Sequence, residues 1–296
     1  MRVFVTGATG FIGLPTVREL IAAGHDVLGL ARSEEGAHAL AAAGAEIQRG
    51  TLEDLDSLRT EAEASDAVIH LAFVHDWSNF AASCETDRRA IEALGAALAG
   101  SARPLIVTGG LAGLAEPGRA ATEYDQIPPD FPFPRVSEQT ALALLPRGVR
   151  ASVMRLPQVH DTAKQGLITP LIAIFREKGA CAYVGDGASH WPAAHVGDVA
   201  RLYRLAIEKA ESGAIYHAVA EEGVTMRDIV HAIGRRLDLP VRSIAPDEAQ
   251  AFFGRFAMFA ALDMRASSVR TRGRLEWEPT GPGLIADLEQ LQVAQD

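Results

Sequence analysis

The chain has 296 residues, of which 48% are hydrophobic, enough for a large buried core in one large domain or in two unequal lobes. Its formal net charge of −10 argues against a nucleic-acid partner, because no basic surplus is present to release counterions from a phosphate backbone. The two cysteines, Cys84 and Cys181, are too few for a disulfide framework and lack metal-ligand spacing, so we expect free thiols, a reducing compartment and no metal.

The first predicted element is an apolar strand at residues 3–5 rather than a signal peptide. No apolar run elsewhere reaches the ~18 residues that are needed to span a bilayer. Both features predict a cytoplasmic protein without a membrane partner.

This strand runs directly into T-G-A-T-G-F-I-G at residues 6–13 and then into a helix. Gly7 permits a sharp turn, Gly10 removes a side chain where backbone approaches a pyrophosphate, and Gly13 lets the helix lie close to the sheet. The helix N-terminus offers unpaired N–H groups and a partial positive charge. An ordinary tight turn is the alternative, but a second strand at residues 26–30 completes a β-α-β unit. We therefore expect a dinucleotide to bind Gly7, Thr9, Gly10, Phe11, Ile12 and Gly13.

The end of the second strand indicates which dinucleotide is bound. A carboxylate there favours NAD, whereas an arginine can pair with the 2′-phosphate of NADP. Arg32 and Ser33 occupy this position, and a guanidinium forks onto phosphate oxygens while a hydroxyl adds a further bond. The sequence predicts NADP. NAD remains the alternative, because Glu34 and Glu35 are close enough to compensate Arg32.

Strand and helix patterns alternate through the first half of the chain, which predicts a parallel sheet covered by helices on both faces. The predicted helices are residues 34–43, 52–63, 79–99 and 136–145, and the further strands are residues 46–48, 67–71, 105–108 and 151–156. Residues 109–134 form a long passage rich in glycine and proline, and loops of this length are usually functional.

In the second half of the chain, strand and helix patterns no longer alternate strictly. It predicts helices at residues 169–177 and 196–210, strands at residues 180–184 and 214–217, and a helix ending at Leu237 that Thr225 and Asp228 cap. The predicted fold class is α/β, a Rossmann-type doubly wound parallel sheet with a smaller C-terminal substrate lobe. We place the dinucleotide domain at residues 1–157, with a return segment near 195–218, and the smaller lobe at residues 158–296.

Six blocks in order give the chain a resemblance to the extended short-chain dehydrogenase/reductase superfamily, in its epimerase/dehydratase-like group, over nearly the whole length. They are the glycine motif at residues 6–13, G-T-L-E-D at 50–54, H-L-A at 70–72, R-L-P-Q-V at 155–159, H-V-G-D-V-A at 195–200 and L-E-W-E-P at 275–279. The resemblance implies that further cofactor contacts come from Thr51, Leu52, Leu71, Ala72 and Pro157.

One departure from that superfamily concerns its usual acid, the tyrosine of Y-x-x-x-K, whose lysine also binds the nicotinamide ribose. The matching segment here is P-R-V-S-E at residues 134–138, which places Pro134 at the tyrosine position and Glu138 at the lysine position. The fifth strand ends T-G-G, leaving only the hydroxyl of Thr108. The chain is identified as an atypical member, to which the usual proton-transfer groups do not carry over.

General acid catalysis contributes typically about 10² to 10⁴ in rate, so a reductase needs a substitute or a water. Arg135 can stabilise an alkoxide but does not readily donate a proton, and a salt bridge to Glu138 is its alternative role. Thr108 can bond a substrate oxygen or only backbone. His75 and His160 are better donors near pH 7, unless they are ordinary loop histidines. The candidate catalytic residues are Arg135, Thr108 and His160.

These residues predict an NADP(H)-dependent oxidoreductase that transfers hydride to or from a small carbonyl-type substrate, as a monomer or homodimer. A non-catalytic NADP(H)-binding redox sensor is the main alternative, favoured by the missing tyrosine and lysine. A sugar-nucleotide epimerase or dehydratase is a third possibility, which the same loss disfavours.

Overall fold

A parallel sheet between two layers of helices dominates the computed structural model, which describes residues 1–116, 118–128 and 130–292. In chain order, its first elements are β1 (Arg2–Thr6), α1 (Gly13–Ala22), β2 (Asp26–Ala31), α2 (Glu34–Ala43), β3 (Glu46–Arg49), α3 (Leu55–Glu63), β4 (Ala67–His70), α4 (Phe80–Leu98), β5 (Pro104–Gly110), α5 (Ser137–Leu142) and β6 (Arg150–Leu156). The chain continues with β7 (Gln158–His160), α6 (Ile168–Lys178), β8 (Cys181–Val184), β9 (His190–His195), α7 (Val196–Lys209), β10 (Ile215–His217), β11 (Glu221–Thr225), α8 (Met226–Leu237), β12 (Val241–Ile244), α9 (Ala249–Phe253), α10 (Ala257–Ala260), α11 (Val269–Leu275) and α12 (Leu284–Glu289).

The large sheet has the strand order β10-β6-β5-β4-β1-β2-β3, and every neighbouring pair is parallel. The order reverses between β1 and β4, so the loops after these strands diverge and leave a crevice at the carboxyl edge. This architecture confirms the predicted Rossmann-type doubly wound fold.

The alternating side chains of β1 show why both faces of the sheet are covered. Val3 and Val5 belong to a core shared with α1 and α7, whereas Phe4 belongs to the core shared with α3 and α4. All three residues are fully buried. A strand that is apolar on both sides requires helices on both sides, as parallel sheets generally do.

Residues after Pro157 add a second apolar core to the molecule. It lies around the sheets β11-β9-β7 and β12-β8 and includes Phe175 of α6, Trp191 of β9 and Ile233 of α8. Between these elements the chain returns to the large sheet, where β10 pairs with β6 and α7 contributes Leu202 to the first core. A smaller C-terminal lobe is thus present, while its boundary at residue 157 stays a prediction.

Several predicted boundaries need correction. Helix α3 begins at Leu55 rather than residue 52, because the Asp54 side chain caps it at the Ser57 nitrogen. Helix α5 ends at Leu142, and a short 3₁₀ turn follows it. The sequence missed β7, β9, β11, β12 and the helices α9 to α12. The predicted Thr225 cap is confirmed, since its hydroxyl accepts from the Asp228 nitrogen at 3.1 Å.

Both cysteines are buried and free, as predicted. Among the described residues, the helices are all too short or too polar to cross a bilayer.

Candidate functional site

The loop between β1 and α1 depends on three glycines. Gly7 has a φ of +69°, and a Cβ on it would lie 2.6 Å from the Ala72 nitrogen. A Cβ on Gly13 would lie 2.0 Å from the carbonyl oxygen of Gly7. A Cβ on Gly10 would meet that same oxygen at 3.1 Å and otherwise open space. Packing therefore excludes side chains at Gly7 and Gly13, whereas the bare backbone of Gly10 borders free volume.

Helix α1 starts from this loop without a side-chain cap, since Ile12 occupies the N-cap position. Thr9 and Gly10 are exposed, and Phe11 and Ile12 are partly exposed. An uncapped helix start with accessible amides and a partial positive charge has the chemistry that a pyrophosphate requires. The donor set of this loop therefore fits a dinucleotide.

The loop after β4 is held beside the glycine loop through Thr6. The Leu71 nitrogen donates to the Thr6 carbonyl oxygen at 3.2 Å, and the Ala72 nitrogen donates to its hydroxyl at 3.3 Å. The structure thus brings Leu71 and Ala72 to the crevice. The other residues that resemble cofactor contacts follow β3 and β6 at the same edge of the sheet: Thr51, Leu52 and Pro157.

At the end of β2, Arg32 is exposed and forms no ion pair with any carboxylate in the described part of the chain. Its neighbour Ser33 caps α2 by accepting from the Gly36 nitrogen at 3.1 Å. Glu34 pairs instead with Arg49, whose Nη1 also donates to the Ser33 carbonyl oxygen at 2.6 Å. Sequence reasoning missed Arg49, although it ends β3 directly beside β2. Two guanidinium groups consequently flank this corner of the sheet.

Arg135 lies just before α5, at the carboxyl edge of the sheet. Its Nε donates to the Ser137 hydroxyl at 2.8 Å, its Nη2 donates to the Thr108 carbonyl oxygen at 3.0 Å, and its guanidinium carbon lies 4.2 Å from the centre of the Phe73 ring. Nη1 makes no hydrogen bond to any described residue. The side chain borders a cavity of about 50 Å³, lined also by Gly109, Gly110, Ala112, Ile127, Phe133, Ser137, Glu138 and Gln139.

A buried carboxylate balances this cation. Asp87 of α4, 1% exposed, accepts from the Ser137 hydroxyl at 2.5 Å and lies 3.1 Å from His70 Nε2. His70 Nδ1 lies 2.8 Å from the Thr6 hydroxyl. Burial acts to raise the pKa of Asp87, but the hydrogen bond and charge of His70, the charge of Arg135 and the Ser137 hydrogen bond lower it below its usual value. A hydrogen-bonded chain therefore connects the glycine loop with Arg135.

Glu138, at the lysine position of the superfamily, does not pair with Arg135. It accepts from Arg155 Nε at 2.7 Å and from Arg155 Nη2 at 2.6 Å, so the predicted alternative of an Arg135–Glu138 salt bridge is wrong. Arg155 also donates to the Asp125 carbonyl oxygen at 2.8 Å, and its Nη1 lies 3.1 Å from His217 Nε2. Arg155 thereby secures the long loop to the sheet. Its pairing with Glu138 was missed, because the two residues belong to different elements.

The hydroxyl of Thr108 faces the protein interior. It donates to the His70 carbonyl oxygen at 2.8 Å and lies 2.8 Å from the Tyr203 hydroxyl of α7. Burial raises the pKa of Tyr203. Thr108 therefore contacts Arg135 through its backbone carbonyl rather than through its side chain.

The two histidines considered as donors lie in different surroundings. His160 is fully buried in β7, where its Nδ1 lies 2.7 Å from Asp287. Burial lowers its pKa more than Asp287 raises it. The ring of His75 lies 5.0 Å from that of Phe73, and burial, followed by the charge of Arg135, lowers the pKa of His75. A lowered pKa keeps both imidazoles neutral near pH 7.

Residues 3–220 of this chain match the model of the NAD dependent epimerase/dehydratase family. An uncharacterized protein of Schizosaccharomyces pombe is 48% identical over 290 residues, which cover 97% of this chain and 98% of that protein. A 4-hydroxy-2-methyl-3-oxo-4-farnesyl-3,4-dihydroquinoline-1-oxide ketoreductase of Stigmatella aurantiaca is 27% identical over 242 residues, covering 78% of this chain and 71% of that protein.

Among solved structures, a dTDP-glucose 4,6-dehydratase of Streptomyces venezuelae with NAD bound superposes with a TM-score of 0.78. The two sequences are 21% identical, and the match covers 98% of this chain and 96% of the other. At this level of identity the likeness concerns the fold.

Proposed function

Since the chain belongs to the NAD dependent epimerase/dehydratase family, within the extended short-chain dehydrogenase/reductase superfamily, we propose that it is an NADP(H)-dependent oxidoreductase acting on a small carbonyl substrate. The observation that carries this proposal is Arg135, whose Nη1 is uncommitted beside a cavity at the carboxyl edge of the sheet. One relative at 27% identity is a ketoreductase, which supports the same reaction type.

The crevice between the loops that follow β1 and β4 would hold the cofactor. The amides at the start of α1 would bind the pyrophosphate, and Gly10 would allow its close approach. Leu71, Ala72, Thr51, Leu52 and Pro157 would supply the further contacts to the dinucleotide. When bound, the dinucleotide supplies or accepts the hydride.

The preference for NADP rests on Arg32 together with Arg49. Because Arg49 holds Glu34, that carboxylate does not neutralise Arg32. A 2′-phosphate at this corner gains charge-assisted hydrogen bonds from an exposed guanidinium, and Ser33 adds a hydroxyl. For the ribose diol of NAD, β2 itself ends without a carboxylate, and the exposed Glu35 lies in the first turn of α2.

Arg135 stabilises the negative charge that develops on the substrate oxygen during reduction. Its Nε and Nη2 are fixed by Ser137 and Thr108, so the donor is oriented before the substrate arrives. The surrounding apolar groups strengthen its electrostatic effect. The guanidinium does not give up its proton, and His75 is neutral, so we assign the final proton of the alcohol to water.

Epimerase or dehydratase chemistry is not proposed, because the acid–base positions hold Pro134 and the paired carboxylate of Glu138. His160 is not assigned to proton transfer, because its ring is fully buried against Asp287. We assign it to fixing β7 against α12.

The decisive experiment combines cofactor binding with turnover. We expect calorimetry to show tight NADPH binding, and a panel of aldehydes, ketones and enones to cause loss of the reduced-nicotinamide absorbance. Tight binding without oxidation across the panel would favour the redox-sensor hypothesis over catalysis. Absence of binding to any pyridine dinucleotide would overturn the proposal as a whole.

A further inference from the structure

The cavity beside Arg135 is backed by a group of aromatic side chains that we call the aromatic wall: Phe73, Trp77, Phe80, Phe133 and Phe259. The Phe133 ring lies 5.1 Å from that of Phe80 and 5.9 Å from that of Phe259. Trp77 stacks on Phe80, with ring centres 4.9 Å apart and an interplanar angle of 6°. These residues come from the loops after β4 and β5, from α4 and from α10, so the wall is a tertiary feature.

Most of the wall is not sealed inside the core. Phe73, Trp77, Phe80 and Phe133 are all partly exposed, and only Phe259 is buried. Phe133 lines the cavity directly, and Phe73 supports Arg135 from the other side. The wall therefore presents aromatic surface around the functional cation.

The polar side chains of the cavity are largely occupied by partners within the protein. The hydroxyl of Ser137 donates to Asp87, and the carboxylate of Glu138 is held by two nitrogens of Arg155. Gln139 is exposed at the rim. Among the described lining residues, Arg135 offers an uncommitted charged donor, and the side chain of Gln139 stays at the rim of a largely apolar lining. Such a site provides a charged donor for one substrate oxygen and few partners for additional hydroxyl groups.

The volume of the cavity limits the group that can lie directly beside Arg135. About 50 Å³ accommodates roughly three to five water-sized groups, since each needs ~10–15 Å³. The carbonyl head of a substrate fits this space, and the rest of the substrate extends from it along the partly exposed aromatic wall. Edge-to-face and offset contacts with a planar group favour an aromatic substituent over a saturated one.

We propose that the substrate is a small aromatic or conjugated aldehyde or ketone, whose carbonyl oxygen meets Arg135 and whose planar group contacts Phe133. This inference rests on the proposed NADP(H)-dependent reduction at the same site. Hydride adds to the carbonyl carbon, NADPH is oxidised to NADP⁺, and the resulting alkoxide takes a proton from water to form the alcohol.

The test compares NADPH-dependent reduction of benzaldehyde and D-glyceraldehyde, which share the aldehyde but differ in ring and hydroxyl groups. We expect kcat/KM to favour benzaldehyde by about 100-fold, because hydroxyl groups without partners are penalised in an apolar site. Phe133→Asn should remove most of this preference by placing an amide on the wall. Phe131→Asn is the matched control, because Phe131 belongs to the same loop but does not line the cavity. It should keep the preference.

Benzamide provides a readout that does not depend on turnover, because it has the carbonyl oxygen and ring but is not reduced. Calorimetry on the NADPH-loaded protein should show benzamide binding that Phe133→Asn weakens at least about tenfold and Phe131→Asn leaves unchanged. Equal kcat/KM for the two aldehydes, with unaltered benzamide binding in Phe133→Asn, would overturn the inference while leaving the oxidoreductase intact. Bound NADPH that no aldehyde oxidises would instead contradict the proposed function.

Discussion

Arg135 and Asp87 are connected by a single hydroxyl group, that of Ser137, which accepts from the arginine at 2.8 Å and donates to the carboxylate at 2.5 Å. A cation and an anion thus share a buried hydrogen bond without forming a direct ion pair. The arrangement compensates the charge of Arg135 while leaving Nη1 available. In the proposed function, this arrangement takes the place of the tyrosine and lysine that the superfamily normally uses.

Replacing Arg135 by leucine should lower kcat by about 100-fold, the usual cost of removing one electrostatic donor from an active site. NADPH affinity should not change, since the guanidinium contacts Ser137, Thr108 and Phe73 rather than the glycine loop. Steady-state kinetics with calorimetry would measure both. Arg88→Leu is the control, because Arg88 pairs with Glu85 and Glu92 on the surface of α4. Wild-type turnover in Arg135→Leu would remove Arg135 from the site.

Asp87→Asn tests the counter-ion. The variant keeps the shape of the side chain but leaves the Arg135 charge uncompensated, so the free energy of unfolding should fall by about 3 kcal/mol. Urea denaturation measures this loss, and kcat should fall as well because Ser137, which orients Arg135, loses its charged acceptor. Asp56→Asn, at an exposed pair with Arg59, should leave both quantities unchanged. A variant as stable and active as the wild type would show that Asp87 does not support Arg135.

Cofactor preference depends on the corner formed by Arg32 and Arg49. Arg32→Ala should weaken NADPH binding by about 10- to 100-fold, the range for one lost charge-assisted hydrogen bond, and leave NADH binding unchanged. Arg49→Ala should weaken NADPH binding less, because it frees Glu34 to approach Arg32. Titrating both variants and the surface control Arg59→Ala with NADPH and with NADH distinguishes a specific loss of NADPH affinity from a general loss of affinity. If the variants weaken NADPH and NADH binding equally, Arg32 and Arg49 support the fold rather than the cofactor preference.

The glycine loop and the first β-α-β units could be predicted, because their signals lie within about thirty consecutive residues. Strand β1 leads directly into the motif, and each following helix is bounded by local cap and turn residues. The missed elements depend on distant partners. Strand β9 contains Pro192 and pairs with β7 and β11, whereas α9 to α12 are too short to show a helical period.

The same reason explains which parts of the site were missed. Asp87 and Ser137 are 50 residues apart, and Glu138 and Arg155 are 17 apart, so no local pattern joins them. A usable signal for Asp87 was its place on the apolar face of α4, where the buried neighbours at positions 84, 91 and 94 predict burial of the residue between them. A carboxylate on such a face requires a partner.

Gly13→Ala should abolish dinucleotide binding and lower the thermal midpoint. A Cβ at this position would lie 2.0 Å from the Gly7 carbonyl oxygen, and this contact is with backbone that cannot rotate away. Gly273→Ala is the matched control, since a Cβ there meets nothing within 4 Å and its helix α11 tolerates alanine. Thermal melts with and without NADPH would report both effects. An NADPH-dependent rise in the midpoint of Gly13→Ala equal to that of the wild type would contradict the assignment of this loop.

His217 should contribute to the pH dependence of the free energy of unfolding. Burial, followed by the charge of Arg155, lowers the pKa of His217 from 6.5 to about 4. The geometry is consistent with this shift, because His217 Nε2 faces an Arg155 nitrogen and Nδ1 lies 2.8 Å from the Ser267 carbonyl oxygen. Between these two pH values the unfolded chain binds a proton that the folded chain rejects. The free energy of unfolding contributed by His217 is therefore fully present above pH 6.5 and declines as the pH falls toward about 4.

His217→Gln should reduce the decline of the unfolding free energy with falling pH, because glutamine does not titrate. This holds even if the variant is less stable than the wild type at every pH. The comparison is urea denaturation at several pH values between 4 and 7, with His38→Gln as the control, since His38 is exposed and only pairs with Glu34 on its own helix. The control should keep the wild-type slope. If His217→Gln and the wild type lose stability equally as the pH falls, the Arg155–His217 contact does not control acid sensitivity.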